Sequence, residues 1–397
     1  MKEKKALILS EVFYPEEFVI NDLVNEWEMQ GYQVEVLTRV PSYPFGKVYK
    51  GFKNKLYQTT YFNSVKIHRV PVIQGYQKSV IVKLANYFAF MFWTFWAILF
   101  IGKRYDRVFI FQSGPLTMAT AGILMKKLFK TKVTIWTQDL WPDTVYAYGF
   151  KKTFFLSSCL DSFVRWIYKN CDSILVSCEG FIEKIHRYVS DKEVVFIPNW
   201  SIMDYTPQGA VSLPGKFNFT FAGNIGKVQN LDNVVLGFGE FVKTHPHAWL
   251  NIIGDGSFLE ELKLLIKQQA IPNVNCTGRI PMAEMADYYE ASDVLIISLI
   301  DVPLYETMVP SKFQAYLAAG KPIFAIFNGE IRIMVEKYGL GLGAKPTDVR
   351  DIATGYAEFV HLSPEEFAAM INNCTKLHEE MYNREKIIEK LNTIFWA

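Results

Sequence analysis

Three short segments in the second half of the chain carry the residue types best suited to holding a phosphorylated ligand. They are Gly-Asn-Ile-Gly-Lys at 223–227, Gly-Asp-Gly at 254–256 and Pro-Ser-Lys at 310–312. Each follows an apolar, strand-like run and precedes a helical pattern, so each is expected to direct free backbone N–H groups towards a ligand. Lys227 and Lys312 add a positive charge at two of these junctions. Together these features indicate a binding site for a diphosphate.

Several common phosphate- and metal-binding motifs are missing from the sequence. Neither G-x-G-x-x-G nor G-x-x-x-x-G-K-[ST] occurs, which argues against a dinucleotide oxidoreductase and a P-loop nucleotidase. Asp-x-Asp is also absent, which removes the simplest arrangement for holding a diphosphate through a metal ion. The five cysteines are scattered without C-x-x-C spacing and predict neither a disulfide framework nor a zinc site.

The elements that must position these segments form an alternating pattern typical of an α/β protein. Apolar runs that predict strands lie at 5–10, 34–37, 107–111, 133–137, 173–177, 217–222, 249–253 and 293–299. Helical patterns separate most of them, and the pattern restarts after a linker at 197–200. We therefore expect two Rossmann-like domains, 1–199 and 200–378. Since ligands of such sheets bind outside the carboxyl ends of the strands, the loops are expected to meet in a cleft between the domains.

Charge divides the chain unevenly between these two parts. The net charge of +2 over 397 residues is the sum of +9 up to residue 199 and −7 beyond it. The 70 residues between Glu35 and Asp106 contain no acid, 11 basic residues and 17 aromatic ones. A basic, aromatic-rich stretch suits an anionic membrane surface or a phosphate-bearing lipid, whereas its long apolar run does not suit nucleic acid. A solvated basic face beside a buried helix is the alternative.

The apolar run is the uncharged segment 84–102, flanked by Lys83 and Lys103. By length it is a marginal membrane span, but strand-like runs of one predicted sheet lie on both sides of it. We interpret it as a helix lying in or against the membrane, with the flanking lysines at the headgroups. A helix buried in a large core is the alternative. No secretory signal peptide opens the chain, so we expect a cytosolic protein.

A series of motifs spanning nearly the whole chain carries a family resemblance. The motifs are Tyr-Pro-Glu-Glu at 14–17, Pro-Ser-Tyr-Pro-Phe-Gly-Lys at 41–47, Gln-Asp-Leu-Trp-Pro-Asp at 138–143, Ile-Pro-Asn-Trp at 197–200, Ala-Gly-Asn-Ile-Gly-Lys at 222–227, Ile-Gly-Asp-Gly at 253–256, Val-Pro-Ser-Lys at 309–312 and Ala-Gly-Lys-Pro at 319–322. In this order and spacing, the chain resembles the family-4 retaining glycosyltransferases of the two-domain GT-B type. Within them it is similar to the bacterial fucosamine, colanic-acid and capsular polysaccharide transferases.

The resemblance implies a nucleotide-sugar donor bound by the second domain and an acceptor bound by the first. It further implies transfer of a hexosyl or N-acetylhexosaminyl group with retention, no metal or other cofactor, and UDP in preference to GDP. The acceptor would be a polyprenyl-diphosphate-linked saccharide of lipopolysaccharide O-antigen, capsule or exopolysaccharide synthesis. The enzyme would be a monotopic, peripheral protein on the cytoplasmic face of the inner membrane. A C-terminal helix at 379–397 would return to the first domain, as in relatives.

Helix starts, strand ends, motif order and the resemblance together assign roles to individual residues. The expected catalytic residues are Glu306, Lys312, Lys227 and Asp139. The expected donor-binding residues are Gly223, Asn224, Gly226, Lys227, Asp255, Arg279, Ile280, Glu306, Pro310, Ser311, Lys312 and Gln314. The expected acceptor-binding residues are Glu16, Glu17, Arg39, Tyr43, Lys47, Gln138 and Asp139. The expected membrane contacts are Phe92, Trp93 and Trp96, and no metal ligand is expected.

Two positions depart from the family pattern. Relatives carry two glutamates separated by seven residues, whereas this chain has Glu306 and Gln314, so the ribose would lose a charged hydrogen-bond acceptor. Gln138 stands where many relatives have a histidine. Two other functions therefore remain open at this point: a nucleotide-sugar epimerase on the same scaffold, and a catalytically silent donor-binding subunit.

Overall fold

The computed structural model describes residues 4–77, 79–147, 150–203, 205–209, 211–303 and 305–397. Lys78, one of the 11 basic residues counted above, lies outside them. The chain divides into two compact units. One comprises Met1–Pro198 together with Ile387–Ala397, and the other comprises Asn199–Lys386.

The first unit is built on an eight-stranded sheet of order β3-β4-β2-β1-β5-β6-β7-β8. Its strands are β1 Lys5–Ser10, β2 Gln33–Arg39, β3 Gln58–Phe62, β4 Val65–Val70, β5 Arg107–Gln112, β6 Lys132–Thr137, β7 Ser173–Val176 and β8 Val194–Phe196. All neighbours pair in parallel except β3, which pairs antiparallel with β4. Central strands such as β5 are buried throughout, as expected for a parallel sheet covered on both faces.

The helices of this unit connect its parallel strands. They are α1 Val19–Met29, α2 Val80–Ile101, α3 Ala119–Phe129, α4 Asp143–Ala147, α5 Phe154–Asn170 and α6 Gly180–His186. A C-terminal helix, α14 Arg384–Trp396, joins the same unit from Ile387 onward. Trp27 of α1 stacks on Phe395 at 5.1 Å and donates through Nε1 to Asn392 Oδ1 at 2.6 Å. Aromatic packing therefore attaches α14 to α1.

The second unit has a six-stranded parallel sheet of order β11-β10-β9-β12-β13-β14. Its strands are β9 Phe217–Ala222, β10 Ala248–Ile253, β11 Val274–Gly278, β12 Val294–Ser298, β13 Ile323–Ile326 and β14 Gly341–Ala344. Its helices are α7 Leu231–Val242, α8 Leu259–Gln268, α9 Met285–Glu290, α10 Ser311–Ala318, α11 Glu330–Lys337, α12 Val349–His361 and α13 Pro364–Leu377. The predicted α/β class with two Rossmann-like sheets is confirmed.

Helix α2 contains the apolar run that the sequence placed at 84–102. With the turn that follows it, Val80–Arg104 is the one helix among the described residues that is long and apolar enough to cross a membrane by length and composition. One of its faces, including Phe90 and Ile98, is buried against α3 and β4. The opposite face exposes Phe92 and Trp96 among other large apolar side chains. The helix is thus half core and half exposed apolar surface.

Candidate active site

Two loops at the carboxyl edge of the second sheet are packed backbone to backbone. The Ile225 N–H donates to the Asp255 carbonyl at 2.9 Å, and the Phe258 N–H donates to the Ile225 carbonyl at 3.0 Å. Gly254 has φ +142°, and a Cβ added there would overlap the Gly223 carbonyl oxygen. This close approach requires glycine. The loops after β9 and β10 therefore form one rigid surface.

Lys312 lies beneath this surface, at the start of α10. Its Nζ is buried and has no hydrogen-bond partner within the described part of the chain. The nitrogen lies 3.7 Å from the centroid of the Phe221 ring, and 3.2 Å from the place a Cβ on Gly223 would take. Burial lowers the pKa of Lys312 to about 7. Burying a cation without an anionic partner costs free energy, so an anion bound beside this amine would lower that cost.

The first turn of α10 adds further donors beside Lys312. Pro310 is the N-cap with φ −61° and makes no side-chain cap, while Ser311 is exposed. The first backbone N–H groups of a helix lack partners within the helix, and the helix dipole favours negative charge there. The start of α10 and Lys312 thus offer, at this edge, the donors and the positive charge that an anion requires.

The other predicted donor residues lie on the same edge with different exposures. Asn224, Lys227, Asp255, Arg279 and Glu306 are exposed, whereas Gly226 is buried and Ile280 is half-buried. The Gly226 N–H donates to Gln229 Oε1 at 2.9 Å, and Lys227 pairs with Glu261 at 3.2 Å. The Asp255 carboxylate accepts from the Gly256 N–H at 2.7 Å. Lys227 is thus a surface cation, unlike Lys312.

Glu306 sits in a short 3₁₀ turn, Tyr305–Thr307, between β12 and α10. Its backbone is held by Gly329, which caps α11 with φ +97° and where a Cβ would overlap the Glu306 main chain. The backbone of the exposed glutamate is therefore fixed while its carboxylate faces solvent.

Gln314 differs from the expectation that it reaches a ribose. It is buried, and with its amide assigned the orientation that satisfies both of its polar atoms, the nitrogen donates to the carbonyls of Ser311 at 2.8 Å and Pro310 at 3.0 Å. These partners belong to the first turn of its own helix. The structure therefore gives Gln314 the role of bracing the start of α10.

At the carboxyl edge of the first sheet, the expectation that Arg39 faces an acceptor diphosphate also requires correction. Arg39 is buried and forms an ion pair with Glu11, which directly follows β1. Its guanidinium also donates to Tyr76 Oη at 3.3 Å and lies 5.0 Å from that ring. Arg39 therefore neutralises an internal carboxylate instead of lying on the surface.

Glu16 is likewise turned inward, contrary to its expected contact with an acceptor. Its carboxylate accepts from the N–H groups of Ser42 at 2.7 Å, Tyr43 at 2.6 Å and Phe13 at 3.3 Å. Burial raises the pKa of Glu16, although these bonds oppose the shift. Glu16 positions the loop after β2, where the Tyr43 side chain is exposed. Glu17 and Lys47 are also exposed.

Asp139 follows β6 at the same edge and is partly buried. It accepts a 2.5 Å hydrogen bond from Thr144 Oγ1, and its carbonyl accepts from Gln112 Nε2 at 2.9 Å. Burial raises the pKa of Asp139 to about 6, while Thr144 and Lys83 favour the charged form. The neighbouring Gln138 is half-buried, and its N–H donates to the Gln112 carbonyl at 2.9 Å. Burial thus gives Asp139 a pKa well above that of an exposed aspartate.

No group of three or more His, Cys, Asp and Glu side chains in the described residues is arranged to hold a metal ion. The cations at the two edges are lysine and arginine side chains.

Comparison with known families identifies both halves of the chain. Residues 17–200 match the family "Glycosyl transferase 4-like domain", and residues 209–377 match "Glycosyl transferases group 1". The two matches together span most of the chain. It belongs to the family-4 glycosyltransferases of GT-B type.

Relatives of this glycosyltransferase include two bacterial proteins that are themselves named as glycosyltransferases. A protein named as a glycosyltransferase, WbjE of Pseudomonas aeruginosa, is 26% identical over 64% of this chain and 67% of its own. A protein named as a colanic acid biosynthesis glycosyl transferase, WcaI of Escherichia coli (strain K12), is 24% identical over 83% of this chain and 85% of its own. The crystal structure of an alpha,alpha-trehalose-phosphate synthase (UDP-forming) from Burkholderia vietnamiensis superposes with a TM-score of 0.75 at 10% identity, covering 99% and 98% of the chains.

The sequence did not reveal three residues that shape the sites of this glycosyltransferase. Glu11 directly follows the first strand, a position that could have singled it out. Gly329 precedes a helical pattern but belongs to no recognisable motif. Phe221 is one of the phenylalanines at alternate positions of an apolar strand. Their roles depend on contacts with segments far along the chain, which local patterns do not report.

Proposed function

We propose that this glycosyltransferase moves a sugar, with retention of anomeric configuration, from a UDP-sugar to a polyprenyl-diphosphate-linked saccharide. The reaction would serve bacterial O-antigen, capsule or exopolysaccharide synthesis on the cytoplasmic face of the inner membrane. The observation that carries the proposal is the buried, unpartnered Lys312 Nζ beside the helix start at Ser311.

The donor diphosphate would bind where Lys312 and the first N–H groups of α10 converge. As the bond between the anomeric carbon and the phosphate oxygen breaks, negative charge develops on the leaving UDP. A preorganised cation in a water-poor site stabilises that charge strongly. Lys227 and Lys312 supply positive charge without a metal ion. Glu306 would accept hydrogen bonds from two hydroxyls of the sugar, as a carboxylate is able to do.

Retention places the acceptor oxygen on the face of the anomeric carbon from which UDP departs. The acceptor hydroxyl oxygen forms the new bond, and a phosphate oxygen of the departing UDP takes its proton. UDP is preferred to GDP because of the family resemblance and because the similar trehalose-phosphate synthase is named as UDP-forming. The transferred group would be a hexose or an N-acetylhexosamine.

The acceptor assignment is supported by the surface of the first unit. The net charge of +9 up to residue 199 suits a polyprenyl diphosphate in an anionic membrane. The exposed apolar face of α2 suits the boundary between headgroups and acyl chains.

The proposal is tested by mass spectrometry of products from a panel of nucleotide sugars and polyprenyl-diphosphate sugars. We expect the acceptor to gain the mass of one hexose or N-acetylhexosamine and UDP to be released in equal amount. An epimerised nucleotide sugar formed without acceptor would show an epimerase instead. Donor binding without turnover on any acceptor would show a silent subunit.

Asp139 gives this reaction an expected pH dependence. If the ionised carboxylate holds the acceptor sugar in place through a hydroxyl beside the reacting one, the transfer rate should rise as pH increases through about 6, the raised pKa of this group. Asp139→Asn should remove this rising limb of the pH profile and lower the transfer rate about tenfold. Thr144→Val should move the limb to higher pH, because the hydroxyl donates to the charged carboxylate.

The pH profiles of initial rates provide the measurement for this prediction. Asp143→Asn is the matched control, since Asp143 lies on the same segment and pairs with Lys184 instead. A profile for Asp139→Asn identical to that of the wild type would exclude the role.

Membrane contact by α2 is tested with Trp96→Asp. Trp96 is 45% exposed on the apolar face. Placing a charge there should lower the fraction that sediments with anionic vesicles about tenfold, and added salt should weaken binding further. Met29→Asp on α1, where Met29 is 64% exposed, is the control and should bind normally. Equal sedimentation of both variants would argue against the predicted contacts Phe92, Trp93 and Trp96.

A further inference from the structure

The two most exposed large apolar side chains of the described residues stand next to each other at the first turn of α5. Phe154 is 92% exposed and Phe155 is 79% exposed. Moving two adjacent phenylalanines out of water is favourable in free energy. Such exposure therefore commonly marks an interaction site. The donor and acceptor sites described above do not use this pair.

The charges around the pair are basic. Lys151 and Lys152 precede it and are exposed, and Arg165 and Lys169 lie exposed further along α5. The one acidic residue of α5, Asp161, accepts a hydrogen bond from Tyr188 Oη at 2.8 Å. The first turn of α5 also presents the positive end of the helix dipole. Two exposed apolar side chains that directly follow two exposed lysines complement an anionic phospholipid surface.

The pair lies on the carboxyl edge of the first sheet. Helices that connect parallel strands begin at that edge. Tyr146 of α4, which follows the Asp139 segment, donates to Ser157 Oγ in the first turn of α5 at 3.0 Å. Lys152 lies 5.7 Å from the Tyr146 ring. The phenylalanines therefore flank the edge that carries Asp139.

We propose that Phe154 and Phe155 insert into the headgroup region of an anionic phospholipid bilayer, forming a membrane contact separate from α2. The contact turns the edge that carries Asp139 towards the membrane. The inference rests on the proposed lipid-linked acceptor, whose diphosphate lies at that depth. A second copy of the chain is a poorer occupant, because the two phenylalanines of both copies together bury at most roughly 1,000 Å². A stable protein interface needs about 1,200 Å² or more.

The first test compares Phe154→Ser/Phe155→Ser with wild type in sedimentation with vesicles of phosphatidylcholine and phosphatidylglycerol. We expect the double variant to partition about tenfold less strongly. Leu264→Ser/Ile333→Ser, which removes exposed apolar side chains from α8 and α11, is the matched control and should partition normally. Equal partitioning of the double variant and wild type would overturn the proposal.

A labelled variant tests insertion itself. Phe155→Cys in a Cys159→Ser background carries an environment-sensitive dye, since Cys159 is an exposed thiol one turn away. We expect a blue shift with anionic vesicles and quenching by brominated lipids. A water-like emission while the protein is vesicle-bound would overturn the proposal. A dimer in vesicle-free solution that Phe154→Ser/Phe155→Ser dissociates would also overturn it and identify a protein contact.

Transfer to a short-chain, water-soluble acceptor distinguishes this inference from the proposed function. The double variant should use that acceptor at the wild-type rate but use vesicle-embedded acceptor about tenfold more slowly. If the wild type transfers to neither acceptor, the proposed function fails while the vesicle and dye measurements still decide the membrane contact.

Discussion

Replacing Lys312 with methionine is expected to slow sugar transfer about 10²- to 10³-fold while raising the melting temperature of the ligand-free protein. The loss is that of one preorganised charge at a developing phosphate anion, about 3–4 kcal/mol. The gain arises because the Nζ is buried without a hydrogen-bond partner among the described residues. Methionine fills a similar volume over the Phe221 ring without requiring a counter-charge.

The pH dependence of the stability gain follows from the lowered pKa. Lys312 has a pKa of about 7 in the folded protein, against the 10.5 of an exposed lysine. Between these values the unfolded chain binds more protons than the folded one, so wild-type stability rises with pH there. The destabilisation caused by the buried Lys312 ammonium is complete below about pH 7 and disappears above about pH 10.5. The advantage of Lys312→Met should therefore be greater at pH 6 than at pH 9.

Calorimetry of both proteins at these two pH values, with initial rates of transfer, provides the measurement. Lys243→Met is the control, because Lys243 is exposed and pairs with Glu240, and should change neither quantity appreciably. UDP should stabilise the wild type far more than Lys312→Met. Near-normal transfer by Lys312→Met, or a lower melting temperature at pH 6, would contradict the assignment of Lys312 as a buried anion partner.

Gly254→Ala is expected to destabilise the second unit by about 3–5 kcal/mol and to abolish measurable UDP binding. Gly254 has φ +142°, and an added Cβ would overlap the Gly223 carbonyl oxygen, which belongs to backbone that cannot rotate away. The two loops would have to separate, which breaks the hydrogen bond from Ile225 to Asp255. The anion site beside Lys312 would open with them.

Denaturant unfolding and UDP titration measure the two consequences. Gly209→Ala is the matched control, since Gly209 also has positive φ, at +72°, but a Cβ there meets no atom within 4 Å. It should cost only about 1 kcal/mol, the penalty for the left-handed backbone. Equal costs for the two substitutions would show that the contact between the loops is not tight.

The elements that the sequence predicted best are those with strong local signals. The central strands have continuous apolar runs, and the runs predicted at 107–111 and 217–222 lie within one residue of the observed β5 and β9. The hairpin of β3 and β4 was not predicted, because β3 alternates half-buried and exposed positions at a sheet edge. Edge strands carry a weak hydrophobic signal.

At the sites, motif order located the segments but not the direction of each side chain. Pro310, Ser311 and Lys312 lie at a helix start as predicted, yet the burial of Lys312 depends on Phe221 and Gly223, some 90 residues earlier. Arg39 and Glu16 were expected at the surface, but their partners Glu11 and Ser42 draw them inward. Such pairings come from tertiary packing, which a linear pattern does not encode.

The attachment of α14 to α1 has a consequence for biosynthesis. Trp27 packs against Phe395 and Trp396, so the first unit contains segments that lie far apart along the chain. The ring of Trp27 stays uncovered until α14 has been synthesised, which happens after all strands of the two described sheets. Since domains fold as units, the second unit can fold before the packing around Trp27 is complete. The unit assigned here to the membrane acceptor would then acquire its final aromatic packing after the donor unit.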